Sequence, residues 1–270
     1  MTDPNRRVSL RSVAMPAEHG GWGLTLEPSI LGVLAAPSLA GLLLGLAAVL
    51  VFLVRTPLRL VLIGRHHRDR ERSSLSRRRT DLAGRVAVIE LLAAVVAVLM
   101  ATVLSVDPMW WLPAVVAVPL FVVALLFDLR SLSRHLIPEV VGSVAVASVA
   151  SMGALAGGAS MALAVGLWLI LGARIFSSIP HVRAQVRRLH GRSAAAMPVL
   201  VGDLAALVAA VIAVWLDASL ILGVAAIVGL IIVQRITLVR PPRPAKVLGV
   251  RQMALGFTVV GVTALGVWLL

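Results

Sequence analysis

Long apolar stretches, separated by short turns and basic segments, make up almost the whole chain. The hydrocarbon core of a bilayer is about 30 Å thick, and a helix needs about 20 apolar residues to cross it. Nine stretches of roughly this length predict spans at 22–37, 40–63, 85–105, 109–127, 138–156, 159–178, 197–215, 218–237 and 251–269. We therefore predict an all-α fold, a polytopic transmembrane helical bundle of about nine helices that forms a single domain over residues 1–270.

The basic residues lie in five clusters, and two spans fit between each cluster and the next. The clusters cover residues 6–11, 55–85, 130–134, 174–192 and 235–251. Because loops rich in Lys and Arg stay in the cytoplasm, the chain is expected to cross in hairpins that return every cluster to that side. This predicts a cytoplasmic N-terminal segment at 1–21, basic cytoplasmic loops at 64–84 and 179–196, and a C-terminus on the opposite side.

The overall composition changes the meaning of the positive charge. Lys and Arg number 25 against 12 acidic residues, for a net charge of +13. In a soluble protein such an excess would indicate nucleic acid. In a chain that is 60% hydrophobic and 14% charged, it indicates orientation in a membrane and attraction to anionic lipid headgroups. We expect lipid partners and no nucleic acid, and the absence of Cys excludes thiol chemistry.

Acidic, basic and glycine residues lie close together at the entry to the first span. Glu18 and His19 precede a Gly-rich segment, and Glu27 lies one to two turns inside the apolar stretch. A carboxylate in a membrane is costly unless it is partnered, so Glu27 is a candidate functional residue. His19 can titrate near neutral pH. The alternative is an interfacial anchor in which Glu27 pairs with an arginine for stability.

A second polar segment leads into the fifth span and contains Arg130, Arg134, His135 and Glu139. The helix dipole favours an acid near a helix N-terminus, and this alone accounts for Glu139. Because the first and fifth spans are expected to begin on the same side, we also predict that their polar residues converge on one site. The candidate catalytic residues are Glu18, His19, Glu27 and Glu139.

A basic stripe runs from the sixth span into the loop that follows it. Arg183 and Arg187 are four residues apart, which aligns their side chains on one face of a helix. Because no carboxylate lies between Arg174 and Arg192, the stripe is expected to bind a phosphate, a diphosphate or a lipid headgroup. The alternative is a signal for membrane orientation alone. The candidate anion-binding residues are Arg55, Arg59, Arg130, Arg134, His135, Arg174, Ser178, His181, Arg183 and Arg187.

Two further carboxylates, Glu90 and Asp203, lie inside predicted spans. Like Glu27, they are candidate functional residues, because a carboxylate inside a membrane is costly unless it is partnered. Pairing with a buried arginine is the alternative for each. The adjacent His66 and His67 do not by themselves indicate a metal. We assign no metal site from the sequence.

Segments 16–23, 128–142 and 174–191, in this order, resemble the YwiC-like family of bacterial membrane proteins. The resemblance extends over nearly the whole chain. It implies a multi-pass protein of the bacterial cytoplasmic (inner) membrane, but it implies no particular reaction.

A more distant likeness is to the UbiA prenyltransferase architecture, which also has nine helices and large cytoplasmic loops after the second and sixth spans. In that family, Asp-rich motifs in the two loops bind a prenyl diphosphate through Mg²⁺, and the allylic cation then alkylates an acceptor. This chain offers Asp69, Glu71 and Asp81 in the first loop without the family's spacing, and no carboxylate in the second. The resemblance implies Mg²⁺, the missing motifs argue against it, and the cofactor is left unassigned.

Three functions remain open on this evidence. The first is a UbiA-like membrane transferase, or a relative with degenerate metal motifs, that acts on or binds a prenyl or lipid diphosphate in a cavity on the cytoplasmic side. The second is a proton-coupled transporter or permease, which the carboxylates inside the spans favour. The similarity of segments 27–32 and 137–142, which suggests a repeat of four helices, favours it as well. The third is a non-catalytic membrane subunit.

Overall fold

A computed structural model describes residues 10–15, 19–66, 74–129, 135–193 and 196–270, and no strand occurs among them. The prediction of an all-α fold is therefore confirmed. The helices are α1 (Arg11–Ala14), α2 (His19–Ala35), α3 (Leu39–His66), α4 (Ser74–Leu104), α5 (Leu112–Leu129), α6 (Leu136–Ala156), α7 (Met161–Leu189), α8 (Ala196–Leu216), α9 (Ile221–Val239) and α10 (Ala245–Leu269). A short 3-10 turn, Ala218–Leu220, precedes α9.

Seven of the described helices are long and apolar enough to cross a membrane: α3, α4, α6, α7, α8, α9 with its 3-10 turn, and α10. The other two predicted spans are shorter, since α2 has 17 residues and the apolar part of α5 is Leu112–Phe127. Large apolar side chains on the outside of the bundle, such as Trp215 at 83% exposure, suit lipid rather than water. The chain is a multi-pass membrane protein.

The helices extend further than the apolar stretches that predicted them. α7 continues to Leu189, so residues 179–189 of the expected loop at 179–196 are helical. α4 begins at Ser74, so the expected loop at 64–84 is helical on both sides of residues 67–73. The difference arises because hydropathy marks where a helix leaves the hydrocarbon, and basic residues can continue the same helix into the headgroup region.

The centre of the bundle is α7. Sixteen of its 29 residues are buried, compared with four of the 19 residues of α9. α7 packs against α2, α6, α8, α9 and α10. Any polar side chain on its inward faces must therefore find its partners on those neighbours.

Small residues let α2 and α6 pack closely. A Cβ on Gly32 would lie 2.7 Å from the carbonyl oxygen of Ala150, and a Cβ on Gly157 would overlap the backbone of Ala36. From the contact of Gly32 with Ala150 to that of Ala36 with Gly157, the residue numbers increase on both helices, so α2 and α6 run parallel. This agrees with a repeat of four helices, because an even number of antiparallel crossings returns the chain to its starting side.

Candidate functional site

Most of the buried polar residues of the described structure lie toward one end of the bundle, where α2, α6, α8 and α10 begin and α7 and α9 end. We call this the basic end, because Arg183, Arg187, Arg235 and Arg251 lie there. Eight of these residues form what we call the polar core. They are Glu27, Arg174, Ser177, Ser178, His181, Asp203, Gln234 and Gln252.

A buried ion pair joins α2 to α7. Arg174 Nη2 donates to Glu27 Oε1 at 2.7 Å, and the two side chains are 6% and 2% exposed. The carboxylate fits between two glycines, since a Cβ on Gly23 would lie 3.1 Å from Oε1 and a Cβ on Gly256 of α10 would overlap it. Glu27 is thus internal to the bundle, as its position in the sequence suggested, and its partner is an arginine.

Arg174 also ties α10 to this pair. The same Nη2 donates to the backbone carbonyl of Gln252 at 3.1 Å, while Nε of Arg174 is buried without a hydrogen-bond partner among the described residues. An unpaired buried donor costs about 1–3 kcal/mol. The guanidinium therefore has an unused donor inside the polar core.

A second ion pair joins α8 to α9. Arg235 Nη2 lies 2.6 Å and its Nε 2.7 Å from Oδ2 of Asp203, which is a bidentate arrangement on one oxygen. The other carboxylate oxygen, Oδ1, contacts Ser177 Oγ at 2.7 Å. The carboxylate is buried, whereas the Arg235 side chain is 41% exposed and reaches the surface.

Ser177 lies between two acceptors and has one proton to give. Its Oγ is 2.7 Å from Asp203 Oδ1 and 2.8 Å from Gln234 Oε1. If the Gln234 amide is turned by 180°, its nitrogen donates to Ser177 Oγ, and the serine proton is then available to Asp203. The amide oxygen in turn accepts from Ser178 Oγ. In that orientation each of these contacts joins one donor to one acceptor.

These contacts form a chain that connects the two ion pairs. With the Gln252 amide turned as well, its nitrogen can donate to Gln234 across their 3.4 Å contact, and the backbone carbonyl of Gln252 accepts from Arg174. On the other side Gln234 reaches Ser177 and, through it, Asp203. The chain therefore runs from α2 through α7 and α10 to α9 and α8.

His181 lies one turn beyond Ser178 on α7 and is fully buried. Its Nε2 is 3.5 Å from Nη2 of Arg251, and its Nδ1 has no hydrogen-bond partner among the described residues. Arg251 Nε is likewise buried without a partner. Two basic side chains therefore face each other at the basic end.

The remaining arginines of the predicted stripe are engaged outside the polar core. Arg183 Nη1 pairs with Glu139 Oε2 at 2.8 Å, and both side chains are about two-fifths exposed. Arg187 Nε donates to the backbone carbonyl of Ser193. Arg188 donates to the carbonyls of Leu238 and Arg240 and so caps the C-terminal end of α9.

Glu27 and Glu139 lie at the same end of the bundle but in separate surroundings. Their partners, Arg174 and Arg183, are nine residues apart on α7, which is about 13.5 Å along a helix. Tertiary contacts thus supply the carboxylates that the local sequence of α7 lacks. The stripe is partly neutralised by α2 and α6.

Other predicted site residues lie away from the polar core. Arg55 and Arg59 are exposed on α3, which packs against α1, α2, α4 and α6, and His135 is exposed before α6. Glu18, Arg130 and Arg134 lie outside the described residues, and so does the side chain of His19.

Sequence reasoning did not select as site residues Gln234 and Gln252 of the polar core, nor Arg235, which pairs with Asp203. Gln234 and Arg235 interrupt the apolar stretch of α9 about one turn before its end, and Gln252 follows Arg251 about two turns into α10. A polar residue at such depth is costly without a partner, and that signal could have identified all three. Glu90 has the same signal on α4, where its Oε2 is buried and has no partner in the described part of the chain.

The residues at this end do not fit a magnesium site. Within the described ranges, no three His, Asp or Glu side chains are grouped so that they could hold a metal. One carboxylate oxygen of Glu27 and one of Asp203 already accept from arginines. Of the loop carboxylates, Asp81 is exposed on α4, and Asp69 and Glu71 lie outside the described residues.

Comparison with known proteins places the chain in a family. No curated protein matches it, and no solved structure matches it, so the distant likeness to UbiA prenyltransferases is not confirmed. The family described as YwiC-like protein matches residues 15–156, which is more than half of the chain and ends with α6. The chain belongs to the YwiC-like family.

Proposed function

We propose that this protein binds an anionic lipid, of the prenyl or lipid diphosphate class, at the basic end of its helical bundle. The observation that carries the proposal is the charge balance at that end. Three arginines, Arg174, Arg235 and Arg251, border the polar core in the described structure, and two carboxylates, Glu27 and Asp203, oppose them.

The excess of cations has a physical cost that a ligand would remove. Ionised side chains inside a membrane protein are expensive, and they persist where they pair with each other or with a bound group. Arg251 faces His181 rather than a carboxylate in the described part of the chain. An anion at the basic end would supply the missing charge.

The proposal is for binding and assigns no bond-breaking step. The residues here do not resemble a magnesium cluster, and arginines do not reproduce the Lewis acidity of a metal ion. Arginine does provide planar, charge-assisted donors that match phosphate oxygens. A phosphate-bearing lipid therefore suits the available chemistry better than a neutral lipid.

Thermal unfolding of the purified protein in detergent tests the proposal. Farnesyl diphosphate and phosphatidylglycerol should raise the unfolding temperature more than phosphatidylcholine does, because a ligand that binds the folded state stabilises it. The control is the double variant Arg55→Gln with Arg59→Gln, which removes two exposed charges from α3 and should respond as the wild type does.

Two results would count against the proposal. If anionic lipids stabilise the wild type no more than phosphatidylcholine, no such ligand binds. If the α3 double variant loses the response, the ligand binds on α3 and not at the polar core.

A second function is favoured by the chain that connects the two ion pairs through Ser177 and Gln234. Such a chain of hydrogen bonds suits a proton-coupled carrier. Under that alternative, reconstituted wild type should dissipate a pH gradient across liposomes faster than Asp203→Asn does. Equal rates would leave the chain a structural feature.

A further inference from the structure

We propose that the anion-binding site is the cluster of His181, Arg243 and Arg251 on the α9–α10 side of α7, and that its ligand is a phosphate or diphosphate group. This rests on the proposed function and locates it. Of the residues expected from the sequence to bind the anion, His181 belongs to this cluster, whereas Arg55, Arg59 and Arg183 lie elsewhere.

The first argument is geometry. Nη2 of Arg251 and Nε2 of His181 are 3.5 Å apart, which is longer than a good hydrogen bond, and no carboxylate pairs with either side chain in the described ranges. The guanidinium of Arg251 and the imidazole of His181 stabilise each other little at this distance. An acceptor oxygen beside them could accept from the guanidinium of Arg251 and from a ring N–H of His181.

The second argument is unused hydrogen-bonding capacity. His181 is fully buried, yet its Nδ1 has no partner in the described structure, and the buried Nε of Arg251 has none. Buried polar groups are almost always satisfied, so several together indicate a ligand or water with oxygen atoms.

The third argument is the positive electrostatic potential at the cluster. Arg243 lies within electrostatic range of Arg251, and Arg235 lies within range of His181. Arg235 is balanced by Asp203, whereas Arg243 is an exposed residue of the connection between α9 and α10. The like charges of Arg243 and Arg251 repel each other. A doubly charged phosphate group would turn that repulsion into attraction.

The position of the cluster fits a ligand that is part lipid. The cluster begins on the connection between α9 and α10 and continues inward to the buried His181. Apolar side chains of both helices near this connection in the sequence, such as Ile236 and Val250, are exposed. A headgroup can therefore reach the arginines while its hydrocarbon chain stays on the lipid-facing surface.

Binding of farnesyl diphosphate and of inorganic pyrophosphate, measured by calorimetry in phosphatidylcholine nanodiscs, tests the inference. Arg251→Gln should weaken farnesyl diphosphate binding at least about tenfold, because it removes a charge-assisted contact. Arg243→Gln should weaken it in the same direction. The control Arg240→Gln removes an exposed charge from the same connection and should bind as the wild type does.

The possible outcomes separate this inference from the proposed function. If wild type binds neither compound, both are overturned. If wild type binds but Arg251→Gln and Arg240→Gln bind equally well, the site is wrong and the function stands. If pyrophosphate binds as tightly as farnesyl diphosphate and depends on Arg251, the site is supported and the lipid part of the function is overturned.

Folding of the variants is checked by circular dichroism and size-exclusion chromatography. Should Arg251→Gln fail to fold, Arg243→Gln decides the matter, because Arg243 is exposed and outside the core. Unchanged affinity in that variant would then overturn the inference.

Discussion

The carboxylate of Glu27 occupies the space that a side chain at Gly256 would need. A Cβ built on Gly256 would overlap the carboxylate and would lie 2.7 Å from Nη2 of Arg174. The absence of a side chain on α10 is therefore what allows the buried ion pair between α2 and α7 to form. Three helices depend on this one contact.

Gly256→Ala should destabilise the protein by about 1–3 kcal/mol, because the methyl group must displace two buried charged side chains. Gly261→Ala is the matched control on the same helix, since a Cβ there meets nothing within 4 Å. It should be neutral or slightly stabilising. Thermal unfolding in detergent measures both, and equal stability of the two variants would mean that Glu27 adjusts without cost.

Removing one partner of the buried pair should cost more than removing both. Glu27→Leu or Arg174→Met alone leaves an unpaired charge and should destabilise by about 3–5 kcal/mol, whereas the double variant should recover a large part of that loss. The exposed pair Arg183–Glu139 is the control, and its single variants should change stability by less than about 1 kcal/mol. Additive effects at the buried pair would show that the two side chains act independently.

Ser177→Ala should be more destabilising than Ser178→Ala. Ser177 Oγ contacts two buried partners, Asp203 and Gln234, whereas Ser178 Oγ contacts Gln234. Leaving a buried acceptor unpaired costs about 1–3 kcal/mol. Chemical unfolding of the two variants, which remove the same atom one residue apart, measures the difference. If the order is reversed, the chain between the ion pairs does not run through Ser177.

The N-terminus should be cytoplasmic and Leu270 should be on the opposite side. Arginines occur at the basic end, where α2 and α10 begin, and Trp268 Nε1 donates to the carbonyl of Leu34 near the other ends of these two helices. The positive-inside rule then sets the orientation.

Fusions at Leu270 and in the connection after Arg240 check this orientation. Alkaline phosphatase, which is active only outside the cytoplasm, should be active at the first position and inactive at the second. The reverse pattern would show that the protein is inserted the other way round.

Local features of the sequence were sufficient for the fold class and for the existence of the intramembrane acids. Hydropathy sums over neighbouring residues, so nine apolar stretches could be found without knowing any contact. The start of α4 and the end of α7 could not be found in this way, because both helices continue beyond the hydrocarbon core. The depth of Glu27 and Asp203 inside apolar stretches marked both as residues that need partners.

The identity of those partners was decided only by the tertiary structure. Arg174 meets Glu27 across 147 positions of sequence, and Arg183 meets Glu139 across 44. The local sequence of α7 shows cations without acids, which predicted an unneutralised stripe, yet two of its arginines are paired by other helices. Which cations remain for a ligand depends on how each helix is rotated about its axis in the bundle. That rotation follows from the combined packing of all the helices, and no single segment contains it.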